Sequence, residues 1–290
     1  MALAGCRVSM FMAANVPSDF VNESRHLDLA YGDDPRQRLD VYGPEGARGK
    51  PVVIFWYGGS WIEGAKRDYR FVAAPLVRNG FVVVIPDYRL YPEVKFPKFE
   101  EDGAAALKWV EEHIGQYGGD PERLVLMGHS AGGHTAAFLA YNRALLERFG
   151  VNPAHVKGFV GLSGTYVFVP DSEVLRNAFP SPPFSDADWQ PIRFVDAQSP
   201  PTLLLHGLSD QEVLPDEARE LRDALERNHV PVTLKLYAHR GHAATVAPFA
   251  LLARWTTPVV KQVLEFLNRV TAPNQASDSA AGRARATEPP

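Results

Sequence analysis

The sequence predicts an α/β fold built on an eight-stranded, mostly parallel, doubly wound sheet. Three observations predict it. Apolar runs of strand length alternate with helical patterns, nothing repeats internally, and a 290-residue chain with 46% apolar side chains is long enough to bury one large core. A single main domain is expected over residues 26–271, between an N-terminal arm at 1–25 and a disordered tail at 272–290 that lacks apolar periodicity.

The first two strand candidates, residues 26–31 and 37–42, stand at hairpin-like spacing, so they are expected to pair antiparallel at one edge. Six more follow at 52–57, 81–86, 124–128, 156–162, 202–206 and 232–237. Helical patterns fall between the later strands at 68–79, 97–114, 131–149, 215–228 and 257–270. Each begins near Asp, Pro or Ser, and several stop at Gly or Asn. Such alternation makes the later strands parallel. Residues 164–200, rich in proline and aromatic residues, break the pattern and read as a short cap insertion over the sheet's C-terminal edge.

The formal charge is −4, and the Lys and Arg residues are scattered, so the chain offers no stripe for nucleic acid. Its one cysteine, Cys6, rules out an internal disulfide. No apolar run approaches the roughly 18 residues that span a bilayer, so no integral membrane segment is expected. Leu3-Ala4-Gly5-Cys6 resembles the lipobox of bacterial lipoproteins without the charged and apolar regions that precede one. The chain as written reads as cytoplasmic with a free thiol. A truncated start would make it a lipid-anchored envelope protein.

Chemistry concentrates after the strand at 124–128. Gly128-His129-Ser130-Ala131-Gly132 matches G-x-S-x-G, in which a nucleophilic serine sits on a tight strand-to-helix turn and the flanking glycines remove side chains that would collide. A serine hydroxyl needs a base to take its proton and a carboxylate to hold that base. Asp210 follows the strand at 202–206, and a histidine follows the strand at 232–237, so the order is Ser, Asp, His. Two loop histidines compete, His239 and His242. His239 lies close to the strand's exit, whereas Gly241 gives His242 a flexible corner from which to reach back. His129 and His206, within or at the end of strands, read as packing residues. For the oxyanion, the Ala131 N–H opens the nucleophile helix, and the paired glycines of Tyr57-Gly58-Gly59-Ser60-Trp61 end an earlier strand.

From about residue 27 to 270 the chain resembles the esterase/lipase group of α/β-hydrolases, including the hormone-sensitive-lipase-like, feruloyl-esterase-like and kynurenine-formamidase-like enzymes. Tyr57-Gly-Gly-Ser-Trp61 stands where that group has HGG-x-W, and Asp87-Tyr-Arg-Leu-Tyr-Pro-Glu93 where it has DYRLAPE. The resemblance implies an α/β-hydrolase fold, a Ser130–Asp210–His242 triad, and an oxyanion hole from the N–H groups of Gly59, Ser60 and Ala131. Tyr57 replaces the motif histidine, which should alter loop packing more than chemistry. Tyr91 replaces an alanine. Arg89, Glu93 and Asp102 are expected to act as structural ion-pair and hydrogen-bond residues.

Trp61, Tyr91, Phe184 and Trp189, with Tyr166, Phe168 and Phe179 nearby, are the candidate pocket wall, aromatic and without an obvious charge cluster. The function expected is a carboxylesterase acting on small apolar or aromatic esters, with no metal and no cofactor. The alternatives are an arylformamidase and, from another class, a non-catalytic ligand receptor, against which His242 argues. The expected partner is the small-molecule ester, with a homodimer left open.

Overall fold

The computed structural model describes residues 14–15 and 23–273. The N-terminal arm, including Cys6, and the tail beyond residue 273 therefore lie almost wholly outside the described residues. Eight strands form one sheet: β1 (Glu23–Ala30), β2 (Arg38–Pro44), β3 (Lys50–Trp56), β4 (Val82–Pro86), β5 (Gly119–His129), β6 (Val156–Leu162), β7 (Thr202–Gly207) and β8 (Val232–Tyr237). Their order is β1-β2-β4-β3-β5-β6-β7-β8. β2 runs antiparallel to both β1 and β4, and every later pairing is parallel. The predicted antiparallel edge is present, and it extends one strand further inward than the hairpin spacing implied.

The register sets the C-terminal ends of the central strands side by side. Trp56 pairs with Gly128, Gly128 with Gly161, and Gly161 with Leu204, while Gly207 pairs with Tyr237. Whatever follows these strands is delivered to one edge. Helices return the chain between them: α1 (Arg70–Arg78), α2 (Lys98–His113), α3 (Ala131–Tyr141), α4 (Arg143–Arg148), α7 (Pro215–Arg227) and α8 (Val259–Val270). Two short helices, α5 (Glu173–Ala178) and α6 (Asp186–Trp189), lie in the connection from β6 to β7.

Helix α3 is buried at all eleven positions. Its small residues, Ala131, Gly132, Gly133 and Ala136, let it lie close on the sheet, and a helix covered on every side needs no polar face. By contrast α7 buries Ala218, Leu221, Ala224 and Leu225 on one stripe and keeps its charges outward.

Two predicted helices differ in detail. The stretch 131–149 divides at Asn142, whose backbone leaves the helical region (φ −85°, ψ 77°). Its N–H closes α3 on the Phe138 carbonyl, and its side chain accepts from the Leu145 N–H to start α4. One asparagine thus ends one helix and caps the next. The stretch 68–79 opens with a 3-10 turn, Lys66–Tyr69, before α1.

Candidate active site

The turn after β5 is strained in the manner the motif requires. Ser130 has φ 56° and ψ −127°, a region that favours glycine and costs an L side chain on the order of 1–3 kcal/mol. Its N–H donates to the Leu162 carbonyl at 3.1 Å, and its carbonyl accepts from the His134 N–H at 3.1 Å. The two motif glycines are needed for separate reasons. A Cβ at Gly128 would run into the Gly132 carbonyl, and one at Gly132 into the carbonyls of Trp56 and Tyr57. Helix α3 is pressed onto the end of β3 with no room for a methyl group.

The loops after β7 and β8 are laced together. A Cβ at Gly207 would meet the Arg240 carbonyl, and the Ser209 N–H donates to that carbonyl at 2.9 Å. Asp210, 3% exposed, is brought under His242, with Nδ1 and Oδ2 2.8 Å apart. Its other oxygen accepts from the N–H groups of Glu212 and Val213, each at 3.0 Å. Burial by itself would raise the Asp210 carboxyl. Hydrogen bonds from His206, His242 and the Val213 N–H outweigh it and hold the group well below the usual carboxylate range. With Asp210 ionised, the His242 hydrogen sits on Nδ1, so Nε2 carries the free lone pair. Ser130 Oγ makes no hydrogen bond among the described residues.

Two further histidines join this cluster, with roles beyond packing. His206 Nε2 lies 2.9 Å from the Val213 carbonyl and 3.2 Å from Asp210 Oδ2. Both are acceptors, so this nitrogen bears the hydrogen and donates toward the carboxylate. His129 Nε2 lies 3.3 Å from the His242 carbonyl, and the two rings are 4.7 Å apart. Burial, then the neighbouring His242, lower the His129 pKa to about 3, so it donates as a neutral ring and puts no positive charge beside His242. Sequence reading missed both roles. The H-G-x-x-D spacing of His206 and Asp210 was the one available signal. His239 is exposed, in a left-handed conformation (φ 57°) at the exit of β8.

The loop after β3 lies against the serine. A Cβ at Gly58 would come within 2.8 Å of the Ser130 Cβ. Gly59 (φ 135°), Ser60 (φ 53°) and Trp61 (φ 59°) hold positive φ in succession, and the Gly59 carbonyl accepts from the N–H groups of Ile62 and Glu63. This turns the loop's amides outward. Among the described residues, the N–H groups of Gly59, Ser60 and Ala131 donate to no protein acceptor. Behind the loop, Tyr57 is fully buried between the rings of Tyr69 and Tyr88, and its hydroxyl donates to Asp87 Oδ1 at 2.6 Å. The residue in the motif-histidine position therefore braces the loop from the core.

The aromatic residues separate into two groups. Trp61, Tyr166, Phe179 and Trp189 are no more than 2% exposed, and Trp61 packs on Phe99, Phe168, Phe179 and His134. They hold the β6–β7 connection to the body and present almost no surface. Tyr91 and Phe184 remain partly exposed, and the Tyr91 N–H tethers the Trp61 carbonyl at 2.8 Å. Asp102, 1% exposed, takes Arg89 at 2.6 Å and Gln37 at 2.8 Å, as expected of a structural pair. Glu93 departs from expectation. It is exposed and makes no ion pair among the described residues, because the Arg89 guanidinium is committed to Asp102.

Residues 39–166 match the BD-FAE family. The isoprenylcysteine alpha-carbonyl methylesterase ICME of Arabidopsis thaliana is 31% identical over 247 residues, 78% of this chain and 58% of that protein. Esterase LipC of Mycobacterium tuberculosis is 29% identical over 220 residues, 68% of this chain and 54% of that protein. The chain thus spans little more than half the length of these curated relatives. Among solved structures, a truncated carbohydrate esterase from gut microbiota superposes with a TM-score of 0.77 at 21% identity, covering 88% of this chain and 99% of that one.

Proposed function

Because the chain belongs to the esterase/lipase family of α/β-hydrolases, we propose that it hydrolyses carboxylic esters through Ser130, His242 and Asp210. The observation that carries this reading is the 2.8 Å contact of His242 Nδ1 with a buried, ionised Asp210, at the sheet edge that also bears the strained Ser130.

The Ser130 hydroxyl attacks the ester carbonyl carbon while His242 Nε2 takes its proton. The carbonyl oxygen becomes an oxyanion and accepts from the free N–H groups of Gly59, Ser60 and Ala131. Collapse breaks the bond to the alkoxide, which leaves as the alcohol with the proton from His242. Water, deprotonated by the same nitrogen, then releases the acid from the serine. Asp210 stabilises the imidazolium that forms twice in the cycle, and a neutral His129 beside it adds no repulsion.

The substrates are read as small, uncharged esters with apolar or aromatic groups, bound against Tyr91 and Phe184. The Glu212 carboxylate, 3.9 Å from His242 Nε2, supports uncharged substrates by repelling anionic ones. The test is covalent labelling by a fluorophosphonate, followed by a panel of chromogenic esters of graded acyl length run beside N-formylkynurenine. Labelling at Ser130 with ester turnover is expected. Turnover of the formyl amide alone would replace esterase with arylformamidase, and no labelling would leave a non-catalytic receptor.

A further inference from the structure

We propose that the turn at residues 251–255 docks the protein on an anionic lipid surface. The turn lies between the short 3-10 turn Ala247–Phe249 and helix α8, soon after His242 in the chain. Most large apolar side chains here are buried, yet Leu251, Leu252 and Trp255 are 36%, 78% and 81% exposed. Solvent exposure of that much indole and isobutyl surface is costly for a soluble face, and three such residues within five positions form a patch rather than scatter.

The charge around the patch identifies what covers it. Arg254 stacks its guanidinium over the Trp255 ring, 4.4 Å from the centroid, and Arg240 donates to the Thr256 carbonyl at 2.8 Å. Neither arginine has a carboxylate partner among the described residues. Between Lys235 and Glu265 the chain carries no Asp or Glu at all, although its formal charge is −4 overall. A cationic, acid-free turn tipped with Leu and Trp matches the boundary between lipid headgroups and acyl chains, where indole rings settle and arginines meet phosphates. A two-fold contact with a second copy would set these arginines against each other. The association is superficial, since no helix among the described residues is long and apolar enough to cross a membrane.

The test is sedimentation of the full chain with vesicles of phosphatidylcholine alone or mixed with phosphatidylglycerol. It compares the wild type with Leu252→Ser/Trp255→Ser and Arg240→Gln/Arg254→Gln, all with matching thermal melts. The wild type should sediment with the anionic vesicles and be released as salt rises to about 0.5 M, and each double variant should partition about tenfold more weakly or worse. This readout does not depend on catalysis, so it stands or falls apart from the esterase reading. A chain that stays in the supernatant at low salt overturns the proposal, as do variants that bind like wild type. Concentration-dependent dimerisation in light scattering that the Trp255 variant abolishes would also overturn it, by assigning the turn to a second copy.

Discussion

His134 Nδ1 stands 3.1 Å from Glu100 Oε1, and neither side chain has any exposed surface. Nε2 of the same ring is 2.7 Å from the Trp189 carbonyl, which only accepts, so that nitrogen bears a hydrogen. Glu100 Oε1 also accepts from the Thr135 hydroxyl at 3.2 Å. The Nδ1 contact therefore needs a proton of its own, held by the ring or by the carboxyl. Through this pair helix α3 is joined to α2 on one side and to the β6–β7 connection on the other.

Removing one partner should be worse than removing both. His134→Ala leaves Glu100 buried without its ring partner and should lower stability by about 3 kcal/mol. The double variant Glu100→Leu/His134→Phe should recover part of that loss. Denaturant unfolding of the two variants checks this, and equal losses would show that the pair is not coupled.

The backbone at Ser130 separates chemistry from strain. Ser130→Ala should abolish ester turnover and keep the wild-type melting temperature, since alanine bears the same positive φ. Ser130→Gly should be equally inactive yet more stable, by about 1 kcal/mol, because glycine adopts this conformation without a steric cost. Calorimetry decides it: a glycine variant that melts no higher than the alanine variant would remove the strain from the account.

The two loop histidines should behave oppositely. His242→Ala should cut the catalytic constant by on the order of 10³-fold or more, because base and nucleophile act as one unit. The exposed His239 should tolerate alanine within about tenfold. Steady-state kinetics on a chromogenic short-chain ester make the comparison, and a reversed pattern would assign the base to His239.

His129 makes stability depend on acidity. Its folded pKa is about 3 against 6.5 for an ordinary histidine, so between those values the unfolded chain binds a proton that the folded one refuses. Stability is therefore lost as pH falls through that window, by up to about 1.4 kcal/mol per pH unit from this residue. His129→Gln keeps a donor but does not titrate, so its unfolding free energy should fall less than the wild type's between about pH 7 and pH 4.5. Parallel slopes for the two proteins would contradict it.

The central strands were legible because burial on both faces leaves nearly continuous apolar runs, and the half-buried edge strand 232–237 because its apolar and polar residues alternate; residues 156–162 and 232–237 agree with the structure at both ends. β5 begins at Gly119, ahead of the predicted 124, because Asp120-Pro-Glu-Arg123 reads as a polar turn although its start pairs with Lys50. The turn glycines, Asp210 and His242 could be named because local pattern and chain order mark them. The donations of His206 and His129 could not, since they depend on how two loops return over the sheet edge. Nor could the burial of Trp61 and Trp189 be read, because aromatic composition is the same for a wall and for a core.

Helix α3 meets the carbonyls at the end of β3 where a single methyl would not fit, and this makes the proposed reaction centre poor ground for directed evolution. Libraries at Gly128, Gly132 or Gly58 would yield mostly unfolded clones whatever substrate is selected. Diversity is better placed at Tyr91, Phe184, Leu208 and Leu214, which retain exposed surface and whose replacement leaves that contact intact.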